Sequence, residues 1–171
     1  MMIRVLGLGN VLMGDDGFGP SVVQRLESDW QFPAQVEVCD LGTPGLDLIP
    51  FLSGADLVIL VDTVRSQGEP GEIRRYGKEE ILEHPPHSRV SPHDPGVKEA
   101  LLVLEFSGTG PREVVLIGAI PASVAPTTRL SDAVARAVGV AALAVVEEVQ
   151  RRGAAVTRRE APGPVQAWWQ K

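Results

Sequence analysis

Four polar segments carry the residue types that do chemistry in this 171-residue chain. Asp15 and Asp16 lie in Gly7-Leu8-Gly9-Asn10-Val11-Leu12-Met13-Gly14-Asp15-Asp16-Gly17-Phe18-Gly19, which leaves a first apolar run. Asp40 leaves a second, in Asp40-Leu41-Gly42-Thr43-Pro44-Gly45. Asp62 directly follows Leu57-Val58-Ile59-Leu60-Val61. His93 sits in Ser91-Pro92-His93-Asp94-Pro95-Gly96. A carboxylate at the end of a buried strand is partly desolvated and needs a cation, a metal or hydrogen bonds. Asp16, Asp62 and His93 together are two carboxylates and an imidazole. That set suits a borderline divalent ion such as nickel or zinc, with positions left for water or substrate. Each residue also has a plainer use. Asp15 and Asp16 could cap a helix and complement its dipole, Asp40 could make a turn, and Asp62 and His93 could cap or pack.

Other chemistries fit less well. Gly7 and Gly9 nearly match a dinucleotide fingerprint, but the third glycine is misplaced and two carboxylates stand where a pyrophosphate would bind. No Gly-x-Ser-x-Gly elbow is present, and Cys39, in the apolar stretch Val36-Glu37-Val38-Cys39, reads as a packed thiol. His84 and His87 flank two prolines and read as solvated loop residues. A single cysteine excludes an intramolecular disulfide framework and Cys-rich metal sites. The net charge of −6, with scattered basic residues, argues against nucleic acid as the main partner. No apolar run approaches the ~20 residues that span a bilayer, so no membrane partner is expected. The opening Met1-Met2-Ile3-Arg4 enters a strand pattern without a signal-peptide core, so the expected location is cytoplasmic.

The elements that must position these residues alternate. Ile3–Leu8, Val36–Leu41, Ala55–Val61 and Val114–Ile120 read as strands. Continuously apolar runs such as Leu57–Val61 suit a parallel sheet covered on both faces. Gly71–Tyr76 reads as an extended segment, an edge-strand candidate. Phe18, Val22 and Leu26 share one face of a helix whose first turn accepts Pro20. Leu46–Leu52 suits a short helix, Val97–Phe106 a longer one, and His84–Pro95 a loop. Ser131 can cap a final helix to about Arg152, with the stripe Val134, Val138, Ala141, Val145 and Val149. With 44% hydrophobic residues, one core is ample. The expectation is an α/β fold: a single-domain three-layer α/β/α sandwich, 1–153, with a mostly parallel central sheet. A mobile tail, 154–171, follows, in which Trp168 and Trp169 suggest some docking. Ligand sites of such sheets lie beyond the carboxyl ends of the strands, where Asp16, Asp40 and Asp62 fall.

The same segments resemble the signatures of the hydrogenase maturation proteases. Gly7–Gly19 looks like the family's N-terminal signature and Asp40–Gly45 its second segment. Val61-Asp62 resembles its third and Ser91-Pro92-His93 its histidine segment. The likeness continues through Leu116-Ile117-Gly118 and Leu130-Ser131, covering residues 3–150. Position 16 is often Glu in the family, Leu41 stands where Gly is usual, and Ile120 where Gln is common.

The resemblance implies an endopeptidase that removes the C-terminal extension of a nickel-loaded hydrogenase large-subunit precursor and uses the nickel for recognition. It maps metal ligands onto Asp16, Asp62 and His93 and a further functional aspartate onto Asp40. Nickel is then delivered with the substrate, although the isolated protein could take another divalent ion. The metal could act as Lewis acid, with Asp16 or Asp40 as general base. The protein is expected to act as a monomer. Two rivals make different predictions: a nucleotide-binding enzyme that keeps its cofactor without Asp16, and a nickel-binding maturation chaperone that binds precursor without cutting it.

Overall fold

A computed structural model of the chain describes residues 1–84, 96–163 and 169. In chain order, β1 (Ile3–Leu8) leads into α1 (Phe18–Asp29), β2 (Trp30–Gln31) and β3 (Val36–Gly42). Then come α2 (Ile49–Leu52), β4 (Leu57–Thr63), β5 (Ile73–Gly77), α3 (Lys78–Glu83) and α4 (Val97–Ser107). The chain continues through β6 (Glu113–Ala119), α5 (Asp132–Arg151) and β7 (Thr157–Arg158). Single 3-10 turns, Gly14–Gly17 and Gly45–Leu48, precede α1 and α2.

The main sheet has the order β3-β1-β4-β6-β5, parallel except for the edge strand β5. Strand alternation splits the apolar side chains into two cores. Ile3, Val5, Leu57, Ile59 and Val61 face Phe18, Val22 and Leu26 of α1 and Val134, Ala141, Val145 and Val149 of α5. Leu6, Leu8, Val58 and Leu60 face Leu52 of α2, Ile81 of α3 and Val97, Leu101 and Leu104 of α4. The result is the expected three-layer single domain. Each of the buried Val, Leu, Ile and Phe side chains among these contributes ~1.5–3 kcal/mol.

Close approach of α1 to the sheet demands small residues. A Cβ at Gly19 would lie 2.2 Å from the Leu8 carbonyl oxygen and 2.4 Å from that of Val61. This contact brings the start of α1, and the turn before it, over the ends of β1 and β4. Ser131 caps α5 as expected, its hydroxyl accepting from Val134 N at 3.4 Å.

Three features differ from the sequence reading. α3 was not expected, because Lys78–Glu83 is mostly charged and only Ile81 is fully buried. The residues expected to begin the tail pack instead. Ala154 and Val156 are buried, and β7 pairs antiparallel with β2. Arg158 also lies over the Trp30 ring, 5.9 Å from its centre. The expected loop His84–Pro95 falls outside the described residues except for His84, which is exposed.

Candidate active site at the strand ends

The loops leaving β1 and β3 pass to opposite faces of the sheet, toward α1 and α2. Adjacent strands that diverge in this way open a crevice at their carboxyl ends. A cleft of 240 Å³ sits there, lined by Gly9, Asn10, Leu12, Asp40 and Thr43 among others. Val11 lines it and also a second cavity of 550 Å³, bounded by Gly14, Gly17, Thr128, Leu130 and Trp169.

Asp16 stands over the end of β1. Its Oδ2 accepts from Asn10 N at 2.7 Å and its Oδ1 from Thr63 Oγ1 at 3.4 Å. A Cβ at Gly9 would lie 1.8 Å from the Asp16 carbonyl oxygen, and Gly9 has φ +131°, so only glycine serves there. Asp62 is buried, 4% exposed, and its Oδ1 accepts from Thr63 N at 2.7 Å. Alternation along β4 puts Thr63 on the α1 face and Asp62 on the α4 face. Thr63 therefore touches both carboxylates and joins the two strand ends. The sequence reading missed Thr63; its signal was a hydroxyl directly after the strand-end aspartate.

Asp40 is held differently. It lies on β3, and its Oδ1 accepts from Gly42 N at 2.9 Å, within its own turn. β3 and β4 flank β1, so Asp40 and Asp62 stand about 9–10 Å apart at the backbone. Among the described residues no hydrogen bond joins Asp40 to Asp16. Gly7 pairs with Asp40 and Leu8 with Gly42, which leaves Leu41 as a bulge, and Gly42 then turns the chain at φ +57°. Bulges re-aim side chains beside sites. Across from Asp40, the Glu27 carboxyl of α1 is pushed above its ordinary value, first by burial and then by the Asp40 charge. Burial also pushes the Cys39 thiol up, with Glu37 and Glu27 adding and Arg4 opposing. A thiol held protonated is a poor nucleophile.

The adjacent aspartates part company. Asp15 is 1% exposed and has different partners from Asp16. Its Oδ2 accepts from Ala122 N at 2.8 Å, Ser123 N at 3.0 Å and Ser131 Oγ at 2.9 Å, and its Oδ1 accepts from Ser131 N at 2.6 Å. Neither aspartate caps α1, whose N-cap Gly17 has no side-chain hydrogen bond.

His93, the proposed third ligand, and His87 lie outside the described residues. Among the described residues no group of three His, Cys, Asp or Glu side chains could hold a metal ion. Also among them, no helix is long and apolar enough to cross a membrane.

The sequence profile of the hydrogenase maturation proteases matches residues 20–148. The chain belongs to that family. The Hydrogenase 2 maturation protease of Escherichia coli (strain K12) is 32% identical over 165 residues, spanning 94% of this chain and 98% of the relative. Among solved structures, the hydrogenase maturating endopeptidase HybD from E. coli superposes with a TM-score of 0.86 at 31% identity, covering 93% of this chain and 98% of that one. A hydrogenase 2 maturation peptidase from Thaumarchaeota archaeon SCGC_AB-539-E09 gives 0.68 at 35% identity, covering 88% and 99%. The fold of these maturation proteases is thus the one built here.

Proposed function

We propose that this maturation protease removes the C-terminal extension of a nickel-loaded hydrogenase large-subunit precursor in the cytoplasm, acting as a monomer. The observation that carries the reading is the place of Asp16 and Asp62 at adjacent strand ends, with Thr63 donating its hydroxyl to Asp16 and its backbone N–H to Asp62. Nickel belongs to the substrate. Asp16 and Asp62 supply two of its ligands and His93, in the segment before α4, the third. This donor set fits a borderline divalent ion, and the isolated protein takes other such ions at the same place. The bound ion anchors the precursor and supplies Lewis acidity near the scissile peptide. With Asp16 committed to the ion, Asp40, which lines the cleft and is exposed, is the carboxylate left to receive a proton from water.

A processing assay tests this reading. Purified protein is mixed with nickel-loaded or nickel-free precursor, and the precursor C-terminus is read by intact mass. Loss of a discrete peptide from the loaded form alone, abolished in Asp16→Asn and His93→Ala, is the expected result. Binding of the loaded precursor without a mass change would make the protein a nickel-binding maturation chaperone instead.

A further inference from the structure

We propose that Asp15 is a positioning residue for the reaction, fixing the Asp16 carboxylate against Asn10 and Thr63 by locking the Asp16 loop to the segment 121–131. This inference rests on the protease reading above. Consecutive Cα atoms lie ~3.8 Å apart, so pinning one side chain of the pair restrains the peptide that carries the other. The pin is strong and long-range. Three backbone N–H groups and one hydroxyl, all from residues 107–116 positions away, converge on the Asp15 carboxylate. Backbone hydrogen bonds zip the same two segments together: Gly14 N to Thr127 O at 2.8 Å, Asp15 N to Ser123 O at 3.0 Å and Thr127 N to Leu12 O at 3.0 Å. The contact is tight enough that a Cβ at Gly14 would lie 2.9 Å from the Ser123 carbonyl oxygen.

A structural carboxylate elsewhere in the fold would affect cohesion alone. Asp15 differs because the backbone it fixes belongs to the site. Without the carboxylate, the donors on Ala122, Ser123 and Ser131, half-buried against it, lose a shared acceptor, and the segment must move to regain hydrogen bonds. Asn in its place keeps the shape but directs an amide N–H₂ at one of those donors. The turn Gly14–Gly17 then relaxes and the Asp16 oxygens lose register.

The test uses the full chain and two readouts. In ¹H–¹⁵N spectra, the Asn10 amide reports its bond to Asp16 Oδ2. Asp15→Asn is expected to move that amide proton upfield, as a weakened hydrogen bond does. It should also lower kcat for loaded precursor by about 10–100-fold with KM little changed, the size seen when residues that orient metal ligands are removed. Val145→Ala, a core change on α5 far from the loop, is the control of comparable stability loss; it should leave both readouts alone. Should Asp15→Asn not fold, Ser131→Ala, which removes one donor to Asp15 together with the α5 N-cap acceptor, gives the same two changes in smaller measure, while Val145→Ala, the stability control, gives neither. An unmoved Asn10 amide, an unchanged kcat, or equal changes in Val145→Ala would overturn the proposal. Failure of the wild-type chain to cut any precursor would sink the protease reading, while the Asn10 amide would still decide the role of Asp15.

Discussion

Glu148 and Asp15 are both 1% exposed, yet the protein neutralises them in opposite ways. Glu148, on α5, meets three guanidiniums. Arg75 from the edge strand β5 and Arg152 each approach it at 3.3 Å, and Arg151 closes the cluster. Asp15 meets only neutral donors, and so do Asp16 and Asp40 among the described residues. The Glu148 cluster ties the sheet edge to α5 through long, half-exposed arms that tolerate small displacements. Asp15, Asp16 and Asp40 are held by backbone and hydroxyl donors, and among the described residues no arginine or lysine pairs with them. A region built that way is prepared for a cation that comes from outside. On this view Asp16 and Asp40 should govern activity with little effect on stability, Asp15 should affect both, and the Glu148 end should govern stability alone.

The largest test of that contrast is Asp16→Asn. Lewis acidity is worth several kcal/mol of transition-state stabilisation, and ~4 kcal/mol is about a thousandfold in rate. Processing of loaded precursor should therefore fall by about a thousandfold or more, while Tm moves little, since Asn retains one acceptor oxygen. A variant that still cuts at wild-type rate would remove Asp16 from the site. Asp40→Asn comes next. As a general base Asp40 is worth ~10²–10⁴, and the lower end is expected because the residue is exposed. The fall should appear in kcat, with binding of loaded precursor retained in a pull-down. Loss of binding instead would make Asp40 a recognition residue.

Reversing the readouts, Glu148→Ala should cost stability and spare the chemistry. Removing one partner of a fully buried ion pair can cost ~3–5 kcal/mol, but these guanidiniums reach solvent and rehydrate. About 1–2 kcal/mol is expected, or roughly 5 °C in Tm for a domain of this size. Processing measured well below Tm should be unchanged. A variant that folds normally but processes slowly would mean that the two ends are coupled through α5, whose N-cap Ser131 also contacts Asp15.

Much of this contrast was legible beforehand, and the remainder was hidden for physical reasons. The runs at Ile3–Leu8 and Leu57–Val61 are apolar because both sheet faces are covered, so local sequence reports them directly. The stripe of α5 likewise reports a single buried face. Asp62 announced itself by ending such a run. Asp15 and Asp16, by contrast, are the same residue type side by side. Only bonds spanning 107–116 positions tell them apart, and no local pattern encodes those. The two-residue strands β2 and β7 are too short to show a period. Ala154 and Val156 belong to a run of only three small apolar residues, a weak signal for packing that the end of α5 makes possible.

The smallest expected effect probes the negative field at the site end itself. Burial, and then the charge of Asp40, hold the Glu27 carboxyl above its ordinary value. A carboxyl with a raised folded pKa favours the folded state while protonated. That contribution is fully present below the unfolded pKa and is lost as pH rises through the folded one. Gln resembles the protonated acid. Glu27→Gln should thus match the wild type below about pH 4 and be the more stable protein near pH 7. Because Glu27 is largely exposed, solvent screening limits the gain to a few tenths of a kcal/mol. Urea midpoints at the two pH values would measure it. In an Asp40→Asn background the gain should shrink but persist, since burial is the larger cause; the difference is the coupling between the two carboxylates. An undiminished gain would mean that the charge of Asp40 does not reach Glu27, and that the field around the cleft is weaker than the crowding of carboxylates implies.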